Sequence, residues 1–493
     1  MASSTSSREP AESRWEASLV FGIVLAVVTF WLFAQTTLNV APAMRDDLGI
    51  GEGTSNIAVS ITALFSGIFI VVAGGLADRV GRVKLTYVGL ALSVAGSLLI
   101  AISPRGTATF LMAGRIIQGL SAACIMPATL ALLKTKFEGR ERQRAVSYWS
   151  IGSWGGSGVS ALFGGLVAST LGWRWIFWMS IAVAVASFLF IRGTPESKAG
   201  SATDRSFDWL GLLAFVGAMV SLNVVVGQGS ALGWTSPLVL LLAALFVLCA
   251  VAFLRIELRS AHGFIDLRLF SNTTYTGATL SNFLLNGAAG TLLVALTLVQ
   301  QEAGLSSLQS GLMTVGYLVA ILSTIRVGEK LLQRWGARRP MLLGCAITAV
   351  GIALTTFTFL LARQYIAVAF VGFTLFGVGL GFYATPSTDA ALSSVPADKA
   401  GSASGIYKMA SSLGAALGVA LSGAIFTGLG HQRDFTPLAG IFMGRTDNAQ
   451  IRFAAGVALL FNVVMVLVAI GSIVATVPRP DHTAHGDARV TAH

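Results

Sequence analysis

One stretch of this chain constrains it more than any other. Gly74-Gly75-Leu76-Ala77-Asp78-Arg79-Val80-Gly81-Arg82-Val83-Lys84 is short, charged and glycine-bearing. It lies between two apolar runs, at 54–73 and 85–102. Roughly 20 mostly apolar residues suffice to cross the hydrocarbon of a bilayer as a helix. Two such runs joined by so tight a charged turn read as consecutive, antiparallel membrane helices. The turn holds their ends in water.

The whole chain fits that pattern. It has 493 residues, of which 54% are hydrophobic and only 11% charged, against about 25% charged in ordinary soluble domains. Fourteen apolar runs emerge, near 18–41, 55–77, 85–103, 109–133, 145–168, 174–192, 208–227, 236–254, 275–299, 307–327, 341–361, 365–388, 404–427 and 452–476. The longest gaps are 193–207, 255–274 and 428–451. No cleavable signal segment is expected, because the first apolar run is too long for one. Cys124, Cys249 and Cys345 all lie in apolar runs and read as small buried hydrophobes rather than a disulfide framework.

Basic residues give an independent check. With the N-terminus in the cytoplasm and strict alternation, the inner segments hold 24 of the 33 Lys and Arg. The outer segments hold seven: Arg45, Arg105, Arg174, Arg363, Arg433, Arg445 and Arg452. This asymmetry follows the positive-inside rule. It assigns the net charge of +11 to membrane orientation and argues against a nucleic-acid partner. Trp173, Trp175 and Trp178 read as interfacial anchors.

The chain also repeats itself. Leu331-Leu332-Gln333-Arg334-Trp335-Gly336-Ala337-Arg338-Arg339 keeps the Leu, Arg, Gly and basic end of the segment 76–84, at an offset of 255. A parallel repeat of six helices predicts two related halves, with two helices inserted between them. The expected organisation is an N-terminal tail (1–17), a first half (18–192), linkers with inserted helices 7 and 8 (193–274), a second half (275–476) and a C-terminal tail (477–493). Gln333 stands where the first half has Asp78, so the halves are not equivalent.

Charges inside spans are costly and usually face a partner or a cavity. Asp78 is placed to accept hydrogen bonds from the N-terminus of a neighbouring helix, with Arg79, Arg82 and Lys84 close by. Arg115 lies a few residues into the fourth run, and Arg-x-x-Gln puts Gln118 on the same helix face. The plainer reading of Arg115 is a side chain snorkelling to the interface. Gly119, Pro127 and the glycines of the fifth run (Gly152, Gly155, Gly156, Gly158, Gly164, Gly165) allow close packing and bending. No Asp or Glu lies at the centre of a run. The nearest are Glu302, Asp389 and the pair Asp46 and Asp47. Lys408, early in the thirteenth run, either faces the central pathway, pairs with Asp389, or snorkels. Gln35, Asn39, Asn282, Asn286 and Tyr407 read as cavity lining or as interhelical glue. Trp149 and Trp154 read as stacking surfaces for aromatic compounds or as packing. The histidines of the tail (His482, His485, His493) do not read as a metal site. No phosphate-binding loop is present, and no cofactor is expected.

Gly-x-Leu-Ala-Asp-Arg-x-Gly-Arg at 74–82 closely resembles the loop between helices 2 and 3 of major facilitator superfamily transporters. Leu111-Met112-Ala113-Gly114-Arg115-Ile116-Ile117-Gln118-Gly119 resembles that superfamily's helix-4 motif. Three segments narrow the resemblance: 28–35, 150–158 and 405–414. They look like the quinolone-efflux branch of the fourteen-helix drug:proton antiporters, and the likeness runs from about 18 to 476. It implies an all-α integral membrane fold of two six-helix halves plus an inserted hairpin, in a bacterial inner membrane with both termini cytoplasmic. It implies a monomeric, non-enzymatic exporter of quinolones, quaternary ammonium compounds and cationic dyes, driven by protons. By the resemblance, Gly74, Asp78, Arg79, Gly81 and Arg82 form a gate that locks the outward-open state. Arg115, with Gln118 on its face, is implied to serve coupling; Glu302 and Asp389 stand as the nearest candidate acids by position alone, and the proton carrier is left open. Two departures stand out. The family's Gly-Pro-x-x-Gly-Gly element is Ser160-Ala161-Leu162-Phe163-Gly164-Gly165 here, and its helix-1 aspartate is replaced by Ala34, beside Gln35. That branch also lacks the aspartate. Rival readings are an exporter or exchanger of one endogenous metabolite, and a membrane sensor or scaffold without turnover.

Overall fold

A computed structural model describes residues 10–198, 208–259, 267–305, 309, 312–430, 439–444 and 448–479. Most of the tail expected at 477–493, with its histidines, lies outside the described residues, as do the side chains of Asn39 and Glu302. The described residues are helical, without strands. In chain order the long helices are α1 (10–48), α2 (Glu52–Val80), α3 (Arg82–Ala101), α4 (Thr109–Lys136), α5 (139–170), α6 (Arg174–Ile191), α7 (Trp209–Leu232) and α8 (Pro237–Arg259). They continue with α9 (273–303, broken at Ala288 and Ala289), α10 (Val315–Trp335), α11 (Arg338–Thr355), α12 (Ala362–Ser393), α13 (Ala400–Gly430) and α14 (Ala449–Thr476).

Twelve of these, among the described residues, are long and apolar enough to cross a bilayer, where the sequence predicts fourteen. The other two are α5 and α10. Glycine and serine dilute the apolarity of α5. Arg326, Glu329, Lys330 and Arg334 do so in α10. The charged residues that the sequence assigns to a loop continue the α10 helix instead. Its buried side Ile321, Ile325, Gly328, Glu329 and Leu332 follows the helical period, so local amphipathicity carries the helix past its charges.

The chain forms two compact units. The first is Met1–Leu267 with Val395–Met409; the second is Arg268–Ser394 with Ala410–His493. The start of α13 therefore belongs to the first unit. The internal repeat is visible in how each unit packs. In the first, a Cβ on Gly89 would meet Ile125 at 2.6 Å, and one on Gly96 would meet the Gly114 carbonyl at 2.8 Å. In the second, at the same offset of 255, Gly344 and Gly351 approach the carbonyls of Gly379 and Gly372, each at 2.6 Å. Each unit thus presses one helix onto the next through small residues, the approach that membrane packing favours. The repeat also places Gly81 (φ 124°) and Gly336 (φ 73°) at matching turns, where a side chain would be strained.

α7 and α8 form a hairpin packed on itself and, through α7, on α2. Its apolar side chains Leu210, Leu241, Leu248 and Leu258 are 65–76% exposed, as befits a lipid-facing surface. Asp208 caps α7 by accepting from the Gly211 amide at 2.8 Å.

Two helices of the first unit are interrupted by π-helical turns: Thr29–Ala34 within α1 and Ile151–Gly155 within α5. Such turns carry one residue too many for the α-ladder and free backbone groups. The two turns pack on each other. Gly156 lets Trp31 and Leu32 come close, since a Cβ there would lie 3.1 Å from each. The Thr36 hydroxyl donates to the Ser160 carbonyl at 3.0 Å across the same contact.

At one end of the first unit, Asp47 ties three segments together. It accepts from Arg105 (2.8 and 3.2 Å), from the Trp173 indole (3.1 Å) and from Arg174. Trp173 is therefore buried rather than interfacial, whereas Trp175 and Trp178 are exposed. Burial pushes the Asp47 carboxyl up, but these donors outweigh it and hold it below the ordinary carboxylate range. A lowered folded value means the contribution is complete above the unfolded value of about 4 and is lost as pH falls through the folded value. Asp47→Asn is expected to cost about 1–2 kcal/mol, seen as a lower melting temperature in detergent at neutral pH. The gap from the unaltered protein should close in strongly acidic buffer.

Candidate gate and coupling site

α2 ends at Val80 and delivers Asp78 to the first turn of α13. The Asp78 carboxylate accepts from the amides of Gly401 and Ser402, each at 2.8 Å, and from the Ser402 hydroxyl at 3.2 Å. Arg82 donates to it from Nε (3.2 Å) and Nη2 (2.7 Å). The first amides of a helix have no intrahelical acceptor and carry partial positive charge, so a carboxylate satisfies both needs. The contact requires close backbones. A Cβ on Gly74 would sit 2.5 Å from the Gly401 carbonyl, and one on Gly401 would sit 2.6 Å from Asp78 itself. Asp78 and Arg82 are buried, while Arg79 is exposed.

Arg82 spreads the clasp. Its Nη2 donates to the Ala397 carbonyl at 2.6 Å and its Nη1 to the Ser197 hydroxyl at 2.9 Å. Next to Ser197, Glu196 caps α3 by accepting from the amides of Val83 (2.9 Å) and Lys84 (3.0 Å). Its carboxylate fills the space that a Cβ on Gly81 would need. Glu196 escaped the sequence reading because it lies more than a hundred residues from the helix it caps.

Arg115 does not snorkel. It is 2% exposed and donates to five acceptors: the carbonyls of Ala34 (2.9 Å), Ala58 (2.8 Å) and Val59 (3.2 Å), Thr37 Oγ1 (3.0 Å) and Gln118 Oε1 (2.8 Å). Ala34 closes the π-turn of α1, so the guanidinium meets a carbonyl at the irregularity itself. Gln118 passes the chain on to Ser97 (3.2 Å), which contacts Ser180 at 3.2 Å. These acceptors are neutral, so the charge is held by dipoles alone.

The expected cavity residues separate by unit. In the first, Trp149 is buried and donates to Thr129 Oγ1 at 3.0 Å. Lys408 is also buried, with Nζ 4.6 Å from the centre of the Trp149 ring, so it does not snorkel either. Gln35 and Trp154 are half-buried and Tyr407 is buried. In the second unit, Asn282 donates to Ser411 Oγ at 2.6 Å, and Asn286 donates to Asn282 Oδ1 at 2.9 Å. Asn282 thus bridges α9 to α13, while Asn286 bonds along its own helix. Asp389 is buried in α12. A cavity of the second unit, lined by Leu298, Thr358, Leu360, Tyr365, Met443 and Arg452, includes none of the expected residues.

Two buried charges of the second unit were missed. Arg452, read as a loop residue, lies in α14 and donates to the carbonyls of Thr358 (2.7 Å), Leu360 (2.6 Å) and Met443 (2.9 Å). Glu329 stands in α10 at the repeat position of Gly74, paired with Arg326 and accepting from Gln333 at 3.0 Å. So Gln333, the counterpart of Asp78, is engaged along its own helix. Among the described residues no group of three His, Cys, Asp or Glu converges on a point suited to a metal.

Arg115→Lys keeps the charge but cannot reach five acceptors with one ammonium. Two or more of these bonds would be lost, each worth about 1.5–3 kcal/mol for a charged donor. A marked fall in melting temperature is expected, larger than for Gln118→Ala; equal melting would contradict the bonding described. Asp78→Asn removes a charge at a helix terminus worth about 0.3–1 kcal/mol, up to ~2 when partly buried. Labelling of a cysteine placed at buried Ala400 should then quicken roughly two- to thirty-fold. Unchanged labelling would show that the contact does not hold the segment shut.

Known proteins resemble this chain in sequence and in fold. The family model for the Major Facilitator Superfamily matches residues 19–419, with a further match over 278–491. Quinolone resistance protein NorB of Staphylococcus aureus strain MRSA252 is 53% identical over 420 residues, covering 85% of this chain and 90% of that protein. The same protein from strain COL is 50% identical over 462 residues, covering 93% and 98%. A crystal structure of the human organic anion transporter MFSD10 (TETRAN) superposes with a TM-score of 0.62 at 14% identity, covering 94% of this chain and all of that one; at that identity it speaks for the fold alone. Together with the apolar helices and the packing repeat, these matches identify the chain as a multi-pass membrane protein of the major facilitator superfamily.

Proposed function

We propose that this chain exports amphipathic drugs, including quinolones, quaternary ammonium compounds and cationic dyes, by proton-coupled alternating access. The observation that carries the substrate class is 50–53% identity, over most of the chain, to proteins named for quinolone resistance. The Asp78 clasp supports the mechanism. It is made of hydrogen bonds between chain-distant helices, and such contacts can open and re-form as a unit. Arg115 supports a fixed element around which other parts move, because five acceptors hold it. Proton drive rests on family resemblance. In this reading the chain crosses the bilayer fourteen times, α5 and α10 included, with both termini and the Asp78 turn in the cytoplasm. One chain contains both halves, so it acts as a monomer.

The test is accumulation of ethidium and norfloxacin in bacterial cells that lack their main exporters. Expression should lower the steady-state level of both several-fold, and a protonophore should restore it. Equal accumulation with and without the protein would remove the export reading. Lowered accumulation that survives the protonophore would remove the proton drive.

A further inference from the structure

Among the described residues of α2, α3, α4 and α13, the first unit buries four charged side chains: Asp78, Arg82, Arg115 and Lys408. Three are locked. Asp78 collects five donor contacts, Arg82 binds Asp78, Ala397 and Ser197, and Arg115 binds five acceptors. Lys408 differs. Among the described residues it makes no hydrogen bond and no ion pair. Its ammonium rests only on the indole face of Trp149, 4.6 Å from the ring centre, and the residue is 7% exposed. That face is a fixed platform. Trp149 is 1% exposed, its Nε1 donates to Thr129 Oγ1, and that hydroxyl donates to the Ile125 carbonyl at 2.7 Å. Trp149 lies two residues before the π-turn of α5, in the last regular turn of the helix that leads into it. Lys408 lies about 12 Å along α13 from Ala400, nearly two turns beyond the Asp78 contact.

We propose that Lys408 is the proton-exchanging group of this transporter, and that its ammonium and a cationic aromatic substrate compete for the face of Trp149. The proposal rests on the export reading above and deepens it. A cation over an indole is stabilised by the ring quadrupole, and the same attraction serves a quaternary ammonium or a dye cation. Two positive charges cannot share one face in a low-dielectric site. When the substrate enters from the inside, an N–H bond of Lys408 breaks, its electron pair stays on nitrogen, and the proton leaves to water. The substrate takes the ring. On the outer side water returns a proton to the amine, the ammonium reclaims the ring, and the substrate is expelled. One proton enters for each substrate cation that leaves.

The neighbouring charges leave this role to Lys408. α2 brings Asp78 and exposed Arg79. α4 brings Arg115, Lys134, which donates to the Val395 carbonyl, and Lys136. α5 brings Arg140, Glu141, Arg142 and Arg144 at its start, and α13 adds Tyr407. Asp78 is the one acid in the span segments of these four elements, and it is committed to the clasp.

The test uses the purified full-length protein, with Lys408→Gln, Lys408→Arg and Asp389→Asn beside the unaltered chain. Ethidium binding in detergent is measured by fluorescence from pH 6 to 9, and ethidium movement with proton flux in proteoliposomes. Binding to the unaltered protein should weaken as pH falls, by up to about tenfold per unit for one competing proton. Lys408→Gln should bind with little pH dependence and exchange ethidium downhill, while losing accumulation driven by an imposed pH gradient. Lys408→Arg, charged throughout, should bind weakly at every pH. Asp389→Asn should keep both the pH dependence and the driven accumulation. The proposal falls if Lys408→Gln binds with the pH dependence of the unaltered protein, or if Asp389→Asn alone abolishes it. If the unaltered protein neither binds nor moves ethidium, the export reading falls with it. If driven accumulation is normal in Lys408→Gln, export stands and the role of Lys408 does not.

Discussion

A carboxylate removed from water at the end of a membrane helix must collect donors or lose its charge. Asp78 collects them from two sources, a neighbouring arginine and the first amides of α13. Much of the nearby architecture serves that contact. Gly74 and Gly401 give up their side chains so that the backbones can meet, Gly81 turns the chain so that Arg82 points back, and Glu196 caps the helix that Arg82 begins. Charge and close packing are interdependent here. A larger residue at Gly74 would separate the amides from the carboxylate even with every charge intact.

Arg115 solves the opposite problem. A guanidinium buried among helices finds neutral carbonyls and side-chain oxygens rather than a counter-ion. A π-turn helps by presenting the Ala34 carbonyl away from the regular ladder. The arginine thereby staples α1 and α2 to α4. In the first unit a fully bonded arginine, a clasped aspartate and a lightly held lysine lie on adjoining helices. They differ in how many partners would have to be exchanged for each to move. This gradation separates a rigid element from a releasable one and from a titrating one.

Residues whose roles depend on local spacing were legible in the sequence. The Asp78 turn, the Arg115–Gln118 face and the offset of 255 all follow from short-range pattern, and the matching glycines at 89, 96, 344 and 351 show the repeat again in the packing. What depended on distant contacts was not legible. Glu196 looks like an ordinary linker acid until its carboxylate meets α3. Arg452 was read as one more loop arginine because it lies at a helix start, although three carbonyls surround it. The sequence assigns the charges of α10 to a loop, yet Arg326, Lys330 and Arg334 lie off the buried side of a continuing helix and Glu329 lies within it. The π-turns leave no local signal, since an inserted residue changes the ladder and not the composition. Lys408 was undecidable from sequence because its partner is a ring on another helix.

The most direct test of this account is hydrogen–deuterium exchange over 397–405 in the resting protein, with Asp78→Ala as the comparison. The Gly401 and Ser402 amides have no intrahelical acceptor at the start of α13, so their protection depends on the Asp78 carboxylate. The account predicts slow exchange at those two amides in the unaltered protein and fast exchange in Asp78→Ala, with α4 around Arg115 unchanged. Equal, rapid exchange in both proteins would mean that the clasp is not formed at rest, and would contradict the claim that it holds the start of α13 in place.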